Sequence, residues 1–294
     1  MKFSIPRFKL IRSRAVLALA ALVAFAAVLL CAGCSGGSGA KYRIPDDLDG
    51  GYAATGEKLF DFVCPDETFT AAQGCCFDGR NWVVAFNKFE VSGEECTTLC
   101  KFDKNGRFVK QSAVLYLEHA NNITYIPEKH AYLVTSCQGT WKECWDGYTL
   151  VDRESLEILK KENLGTPFFA MGYCQERKQF ASARWDGSTL DFWDRDLVHL
   201  SVYAVTPSGT LSQGVFAAPG AVWFVRSSQN GFHQEFLLYD WEGALITSIP
   251  LDLENDVESE SVNIVGGTVY VTSNGGNRAG LFKVSFEKTG ENGG

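Results

Sequence analysis

A strand-rich pattern returns every forty-odd residues along this 294-residue chain, and a unit that short can bury its apolar surface only against copies of itself. A pair of strand-like runs joined by a turn reads at Gln73 to Phe86 (QGCCFDGRNWVVAF), His119 to Thr135 (HANNITYIPEKHAYLVT), Phe169 to Arg184, Gln213 to Val225 (QGVFAAPGAVWFV) and Ser261 to Thr272 (SVNIVGGTVYVT). The first residues of these runs are 46, 50, 44 and 48 apart. Val, Tyr, Phe, Trp and Thr fill the runs and Gly, Asn, Asp and Pro separate them, while long amphipathic helical patterns are absent. The first four pairs each lead to an apolar run that closes on an acidic turn: KFDKNG, LVDRES, FWDRDL and LYDWEG. The aspartates of those turns, Asp103, Asp152, Asp194 and Asp240, are 49, 42 and 46 apart.

About four strands per unit at this period predicts an all-β chain, a β-propeller in which twisted sheets stack around an axis. The fifth unit, ending in GLFKVSF near Phe286, is one strand short, and KLFDFV at Lys58 to Val63 is expected to complete it and close the ring. Five blades follow, with six as the alternative and a pair of β-sandwiches as the runner-up fold. The propeller is expected over 57–287, with a tail at 288–294. His119-Ala120-Asn121-Asn122-Ile123-Thr124-Tyr125 with Ile126-Pro127 resembles the HAND-x-TYxP start of an inner strand in bacterial propellers, a group similar in architecture to WD40-like, NHL and lactonase-like propellers. Asn122 stands where that motif has Asp, which separates this chain from a metal-binding or catalytic version of it.

The first residues carry a different message. Lys2, Arg7, Lys9, Arg12 and Arg14 precede a run without charge from Ala15 to Leu30, the pattern of an export signal. The run is near the lower limit for a spanning helix, so an uncleaved anchor is the alternative. Leu30-Cys31-Ala32-Gly33-Cys34 resembles a lipobox, with Cys31 where Leu is usual. That resemblance implies removal of 1–33, lipid on Cys34 and attachment to a membrane outside the cytoplasm. The segment 34–56 is read as the lipidated cysteine and a linker, its SGGSGA stretch flexible because Gly and Ser bury nothing. Without the five basic residues before Cys34 the formal charge goes from −8 to −13, which argues against nucleic acid as a partner.

Cys64, Cys75, Cys76, Cys96, Cys100, Cys137, Cys144 and Cys174 remain beyond the export region. An even number in an exported chain predicts disulfides, with Cys96–Cys100 and Cys137–Cys144 the simplest pairs in sequence. Free buried thiols are the alternative, and metal the least favoured because no CxxC occurs.

Residues that begin inner strands face the axis of a propeller, so Gln73, His119, Asn121, Asn122, Gln213, Glu260 and Asn263 are the candidate ligand-binding residues. Amides with one histidine and one carboxylate suit hydrogen bonding to a sugar, peptide or organic acid better than acid–base chemistry. The competing expectation is that they bond to neighbouring backbone and channel water. Trp141, Trp145, Tyr148, Trp185 and Trp193 are either a stacking platform or packing between sheets. The acidic run Asp252, Glu254, Asp256, Glu258, Glu260 lacks the spacing of a calcium loop and reads as a solvated connection. Nucleophile-elbow, P-loop, HExxH and dinucleotide motifs are absent. The expected function is therefore an envelope-anchored binding or scaffold protein with a protein or glycan partner and no cofactor, metal or catalytic residue. The alternatives are a hydrolase of lactonase-like or glycoside-hydrolase type, the latter needing Glu118, Asp186, Asp191 or Glu260 to meet, and a structural component without a ligand.

Overall fold

Alternation of β-branched and aromatic residues with small ones gives strands that bury both faces, and these dominate the chain. The computed structural model describes residues 43–48, 51–89, 95–136, 146–205, 211–228, 233–253 and 257–289; the export segment, Cys34 and its tether lie outside them. Among the described residues, β1 (Tyr52–Val63) is followed by one sheet of β2 (Ala71–Phe77), β3 (Trp82–Phe89), β4 (Glu95–Phe102) and β5 (Phe108–Gln111). A second holds β6 (Ile123–Ile126), β7 (Ala131–Ser136), β8 (Gly147–Asp152) and β9 (Ile158–Asn163), and a third β10 (Ala170–Cys174), β11 (Gln179–Ala183), β12 (Thr189–Asp194) and β13 (His199–Ala204). The remaining strands are β14 (Leu211–Ala217), β15 (Val222–Ser227), β16 (Gln234–Tyr239), β17 (Leu245–Leu253), β18 (Ser259–Val265), β19 (Thr268–Asn274) and β20 (Arg278–Lys288), which join β1 in an eight-stranded sheet. That sheet is two antiparallel groups of four, β14 to β17 and β18-β19-β20-β1, whose strands pair with each other only along a short parallel stretch, Ala54–Gly56 with Leu251–Leu253.

The closing strand is the element that ties the two ends of the chain together. β1 runs antiparallel to β20 from Tyr52↔Lys288 to Val63↔Arg278, so Lys58 to Val63 does complete the last group. The strand begins at Tyr52, within the segment read as linker up to residue 56, and the compact unit starts near Lys41. Gly56 is a strand residue here, and a side chain at that position would run into Leu253 and Phe282.

The first strands of the groups touch in a closed cycle, β2 to β6 to β10 to β14 to β18 and back to β2. The apolar clusters lie at the junctions. Phe62 and Leu281 pack on Trp82, Phe86 and Phe102; Val83 and Leu99 on Tyr132 and Val134; Leu133 and Tyr148 on Phe180 and Trp193; Phe192 on Phe224; and Trp223 and Phe236 on Val271 and Phe282. A propeller-like, all-β architecture is the result. No described helix is long and apolar enough to cross a membrane.

The repeating aspartates have a local cause. Oδ1 of Asp103 accepts from the backbone N–H of Asn105 and Arg107, that of Asp194 from Asp196 and Val198, and that of Asp240 from Glu242 and Ala244; Asp152 holds Glu154 and Ser155 likewise. Each carboxylate nucleates the turn between third and fourth strands. A register shift in the third–fourth strand pairing directly precedes each of these turns.

The predicted Cys96–Cys100 bridge is excluded. Both residues lie in β4, and four residues along a strand span roughly 13 Å, beyond the ~7 Å Cα separation a disulfide tolerates. Cys64, Cys75, Cys76, Cys96, Cys100 and Cys174 are unbridged and buried, and Cys137 and Cys144 lie outside the described residues.

Candidate functional site: the two mouths of the central channel

The inner strands approach so closely that glycine is required where they cross. A Cβ on Gly74 would sit 2.9 Å from backbone atoms of Ala120 and Asn122, one on Gly172 2.9 Å from Val215 O and Ala217 N, and one on Gly214 2.7 Å from Ser261 Cα. Side chains beside these glycines consequently converge near the axis.

Asn121 and Asn122 do not start the second inner strand, which begins at Ile123. They lie in a kinked approach with Glu118 and Ala120 at φ 58° and 48°. Asn122 is buried and its amide bridges three groups: Nδ2 donates to Met171 O at 2.7 Å and to Val215 O at 3.5 Å, while Oδ1 accepts from Val215 N at 3.3 Å. Asn121 Nδ2 donates to Gln213 O at 2.7 Å. Asn263 Nδ2 donates to Cys75 O at 3.1 Å toward the other end of the strands. These asparagines join inner strands to one another.

The other predicted residues gather at the strand-start mouth. Gln213 Nε2 donates to Glu258 Oε1 at 2.6 Å and to Ser227 Oγ at 2.9 Å. His119, its side chain 37 % exposed, bonds through Nδ1 to Glu95 Oε1 at 2.9 Å, and Asn87 Nδ2 donates to the same oxygen at 3.1 Å. His119 also lies close enough to Glu258 to favour its charged form. Two hydrogen-bonded pairs, Glu95–His119 and Glu258–Gln213, therefore stand at this mouth, drawn from the first, fourth and last groups and the approach to the second, and the His119 charge reaches Glu258. Glu260 lies buried behind it, bonded to Asn274. The amide oxygens of Gln73 and Asn121 are buried acceptors, and the Ser212 and Ser259 hydroxyls buried groups able to donate or accept, that have no protein partner, the type of atom that water or a ligand satisfies.

Burial raises the carboxyl pKa of Glu258, against the His119 charge and the Gln213 bond. Burial, reinforced by the Glu258 charge, raises that of Glu260 well above its ordinary 4.5, although Asn274 opposes the shift. A carboxyl raised in the folded state takes up a proton on folding, so its contribution to stability is present at acid pH and fades as pH climbs past the ordinary carboxylate range. Glu260→Gln should therefore raise the melting temperature by a few degrees at pH 8 and leave it unchanged near pH 4. Thermal unfolding of both proteins across that range checks this, and parallel profiles would refute it.

Glu95, Asn87 and Glu258 escaped the sequence reading as site residues. Glu258 alone carried a signal, standing two residues before Glu260 in an acidic run, whereas Glu95 and Asn87 line the mouth only because β3 and β4 end and begin there. Of the carboxylates a glycosidase would need, Asp186 caps its own turn at Ser188 N and Asp191 bonds His199 Nε2 at 2.8 Å on the third strand of its sheet. Trp193 is buried, donates to Ser182 Oγ and packs edge-on to Phe168 and His199. Trp141 and Trp145 lie outside the described residues. Among those described, no three His, Cys, Asp or Glu side chains converge as a metal site.

A cavity of about 430 Å³ is at the opposite, strand-end mouth, lined by Phe77, Tyr125, Tyr173 and Phe216 among others. Its one buried carboxylate is already engaged. Burial pushes Asp78 up, but Arg153, Tyr132 and two backbone N–H groups outweigh that and hold it below the ordinary range. This mouth holds a cavity, whereas the accessible titratable groups stand at the other. The second feature bears more directly on recognition of a polar partner.

No family model matches the chain, and no curated protein matches it. Among solved structures, glutaminyl cyclase from Myxococcus xanthus matches with TM-score 0.55 at 11 % identity, over 81 % of this chain and 99 % of that one. Hydrazine synthase from Kuenenia stuttgartiensis matches with TM-score 0.43 at 13 % identity, over 72 % of this chain and 57 % of that one. The first likeness is one of fold, and with the closed cycle of inner strands it makes this chain β-propeller-like.

Proposed function

We propose that the chain is a lipid-anchored, extracytoplasmic protein whose five-bladed propeller binds a protein or glycan partner at the strand-start mouth. Five junction clusters and the cycle of five inner strands support the blade count. Anchoring rests on Cys34 and its lipobox: Cys34→Ala should abolish incorporation of labelled palmitate, and persistent labelling would sink the assignment. The observation that carries the binding role is the pair of hydrogen-bonded couples Glu95–His119 and Glu258–Gln213 at one mouth, together with the unpartnered amide oxygens of Gln73 and Asn121. Such a mouth offers acceptors in excess of donors, and so favours a donor-rich group: sugar hydroxyls, or a basic side chain and amide N–H groups of a peptide. Cross-linking of the mature protein in its native envelope should capture a partner that Glu258→Gln with His119→Ala loses at least tenfold, with the melting temperature within a few degrees of the parent. Equal capture by the double variant would remove this mouth from consideration.

A second reading, an acid–base enzyme, is favoured by one observation: a half-buried carboxyl with raised pKa, Glu258, near the His119–Glu95 pair. The cyclase likeness supplies the first substrate to try, a peptide with N-terminal glutamine. Ammonia release that Glu258→Gln abolishes would promote this reading over the first.

A further inference from the structure

The seam between the closing group and the first sheet contains two thiols that no sequence-near pairing joins. Cys64 immediately follows β1, where its N–H donates to Asn277 O, and Cys100 lies in β4. Their sulfurs are 3.9 Å apart, and both residues are buried in the cluster formed by Phe62, Trp82 and Phe102. A disulfide is about 2.05 Å long, so bonding requires each sulfur to move roughly 0.9 Å, within the reach of side-chain rotation. We propose that Cys64 and Cys100 are joined by a disulfide in the exported protein, a covalent latch that holds the closing strand to the first sheet.

The position gives the latch a purpose. The lipid-anchored tether enters the domain through β1, so any pull from the membrane acts on the β1–β20 ladder, and a bond at the far end of β1 stops that ladder from unzipping completely. The compartment half of this inference rests on the export reading above; the geometry does not. Formation is a two-electron oxidation by a disulfide-bearing oxidant of the envelope or a small-molecule disulfide. The Cys64 thiolate attacks that disulfide and expels one thiol. Cys100, deprotonated, then attacks the Cys64 sulfur of the mixed disulfide and expels the second. Two protein protons leave, one S–S bond is made and one is reduced. In the folded seam either sulfur can donate to the other, so the order of attack is open and the same bond results if Cys100 attacks first. Exchange must occur before β1 docks or while its end is open, because both sulfurs are buried in the folded state.

The test is peptide mapping of the alkylated, unreduced mature protein taken from its envelope, beside the same protein reduced, unfolded in urea and refolded in oxidised and reduced glutathione. A Cys64–Cys100 linked peptide in both samples is the expected result. No such peptide after glutathione treatment overturns the latch whatever the compartment. A link formed by glutathione but absent from the envelope sample overturns the proposal for the exported protein and places the failure in the export reading. Reduction should also lower the melting temperature by roughly 5–15 °C in the parent and by nothing in Cys64→Ser. An equal drop in both would assign the effect to other thiols and reject this pair.

Discussion

Removal of residues 41–63 should leave the domain without a cooperative thermal transition. β1 supplies the fourth strand of the closing group, pairing with β20 along almost its whole length, and it inserts Phe62 into the seam. The Phe62 ring lies 4.8 Å from Phe102 and 6.0 Å from Trp82, and the residue is fully buried. Truncation of such a residue to alanine alone costs about 3–5 kcal/mol, against a total domain stability of about 5–15 kcal/mol. Loss of the whole strand also uncovers the β20 edge, with donors and acceptors that invite pairing between copies. Circular dichroism melting and light scattering check both consequences. A truncated protein that begins near Thr68, stays monomeric and melts as the parent does would remove β1 from its role. Phe62→Ala is the milder form of the experiment and should shift the urea midpoint without changing the folded spectrum.

The closing strand also shows what can and cannot be read in advance. A missing strand in the last unit is visible by counting, because the period is a local pattern of alternation and turns, and the turn aspartates are legible because their chemistry acts within four residues. The start of β1 is not. GYAATGE has no alternating apolar pattern, and its strand character comes from partners more than two hundred residues away, such as Phe286 opposite Ala54. Distance hides the candidate site in the same way. Glu95, His119 and Glu258 become neighbours only when the ring closes, and nothing in the spacing of those three residues announces it. The Cys96–Cys100 expectation failed for the opposite reason: proximity in sequence places two residues of an extended strand too far apart to bridge, whereas Cys64 and Cys100, 36 residues apart, meet across the seam.

Asn122 is where the polar reading of the channel meets its most direct stability test, because a channel-mouth ligand residue and a bridge between inner strands predict different outcomes. Its side chain is buried, with one edge of the amide on Met171 O and the other on Val215 N. Its own backbone is held at both N–H and C=O by Thr135. Asn122→Ala keeps the backbone bonds and leaves a carbonyl of the third sheet and an N–H of the fourth without partners. At about 1–3 kcal/mol for each of the two buried groups left unpaired, the loss should be about 2–6 kcal/mol, large against a domain stability of about 5–15 kcal/mol. Asn122→Asp, nearly isosteric, keeps an acceptor for Val215 N but turns a carboxylate toward the Met171 carbonyl oxygen. It should therefore be at least as destabilising at pH 7 and recover partly at acid pH, where the protonated carboxyl can donate again. Urea unfolding at both pH values separates these outcomes. A surface or ligand-facing asparagine predicts that both variants unfold within about 0.5 kcal/mol of the parent, as surface substitutions do. Partner capture supplies the complementary readout. Measured well below the melting transition, it should be unchanged in Asn122→Ala and reduced in the Glu258→Gln, His119→Ala double variant. The same channel would then be divided by function: inner amides that fasten one sheet to the next, and carboxylates at the strand-start mouth that meet the partner.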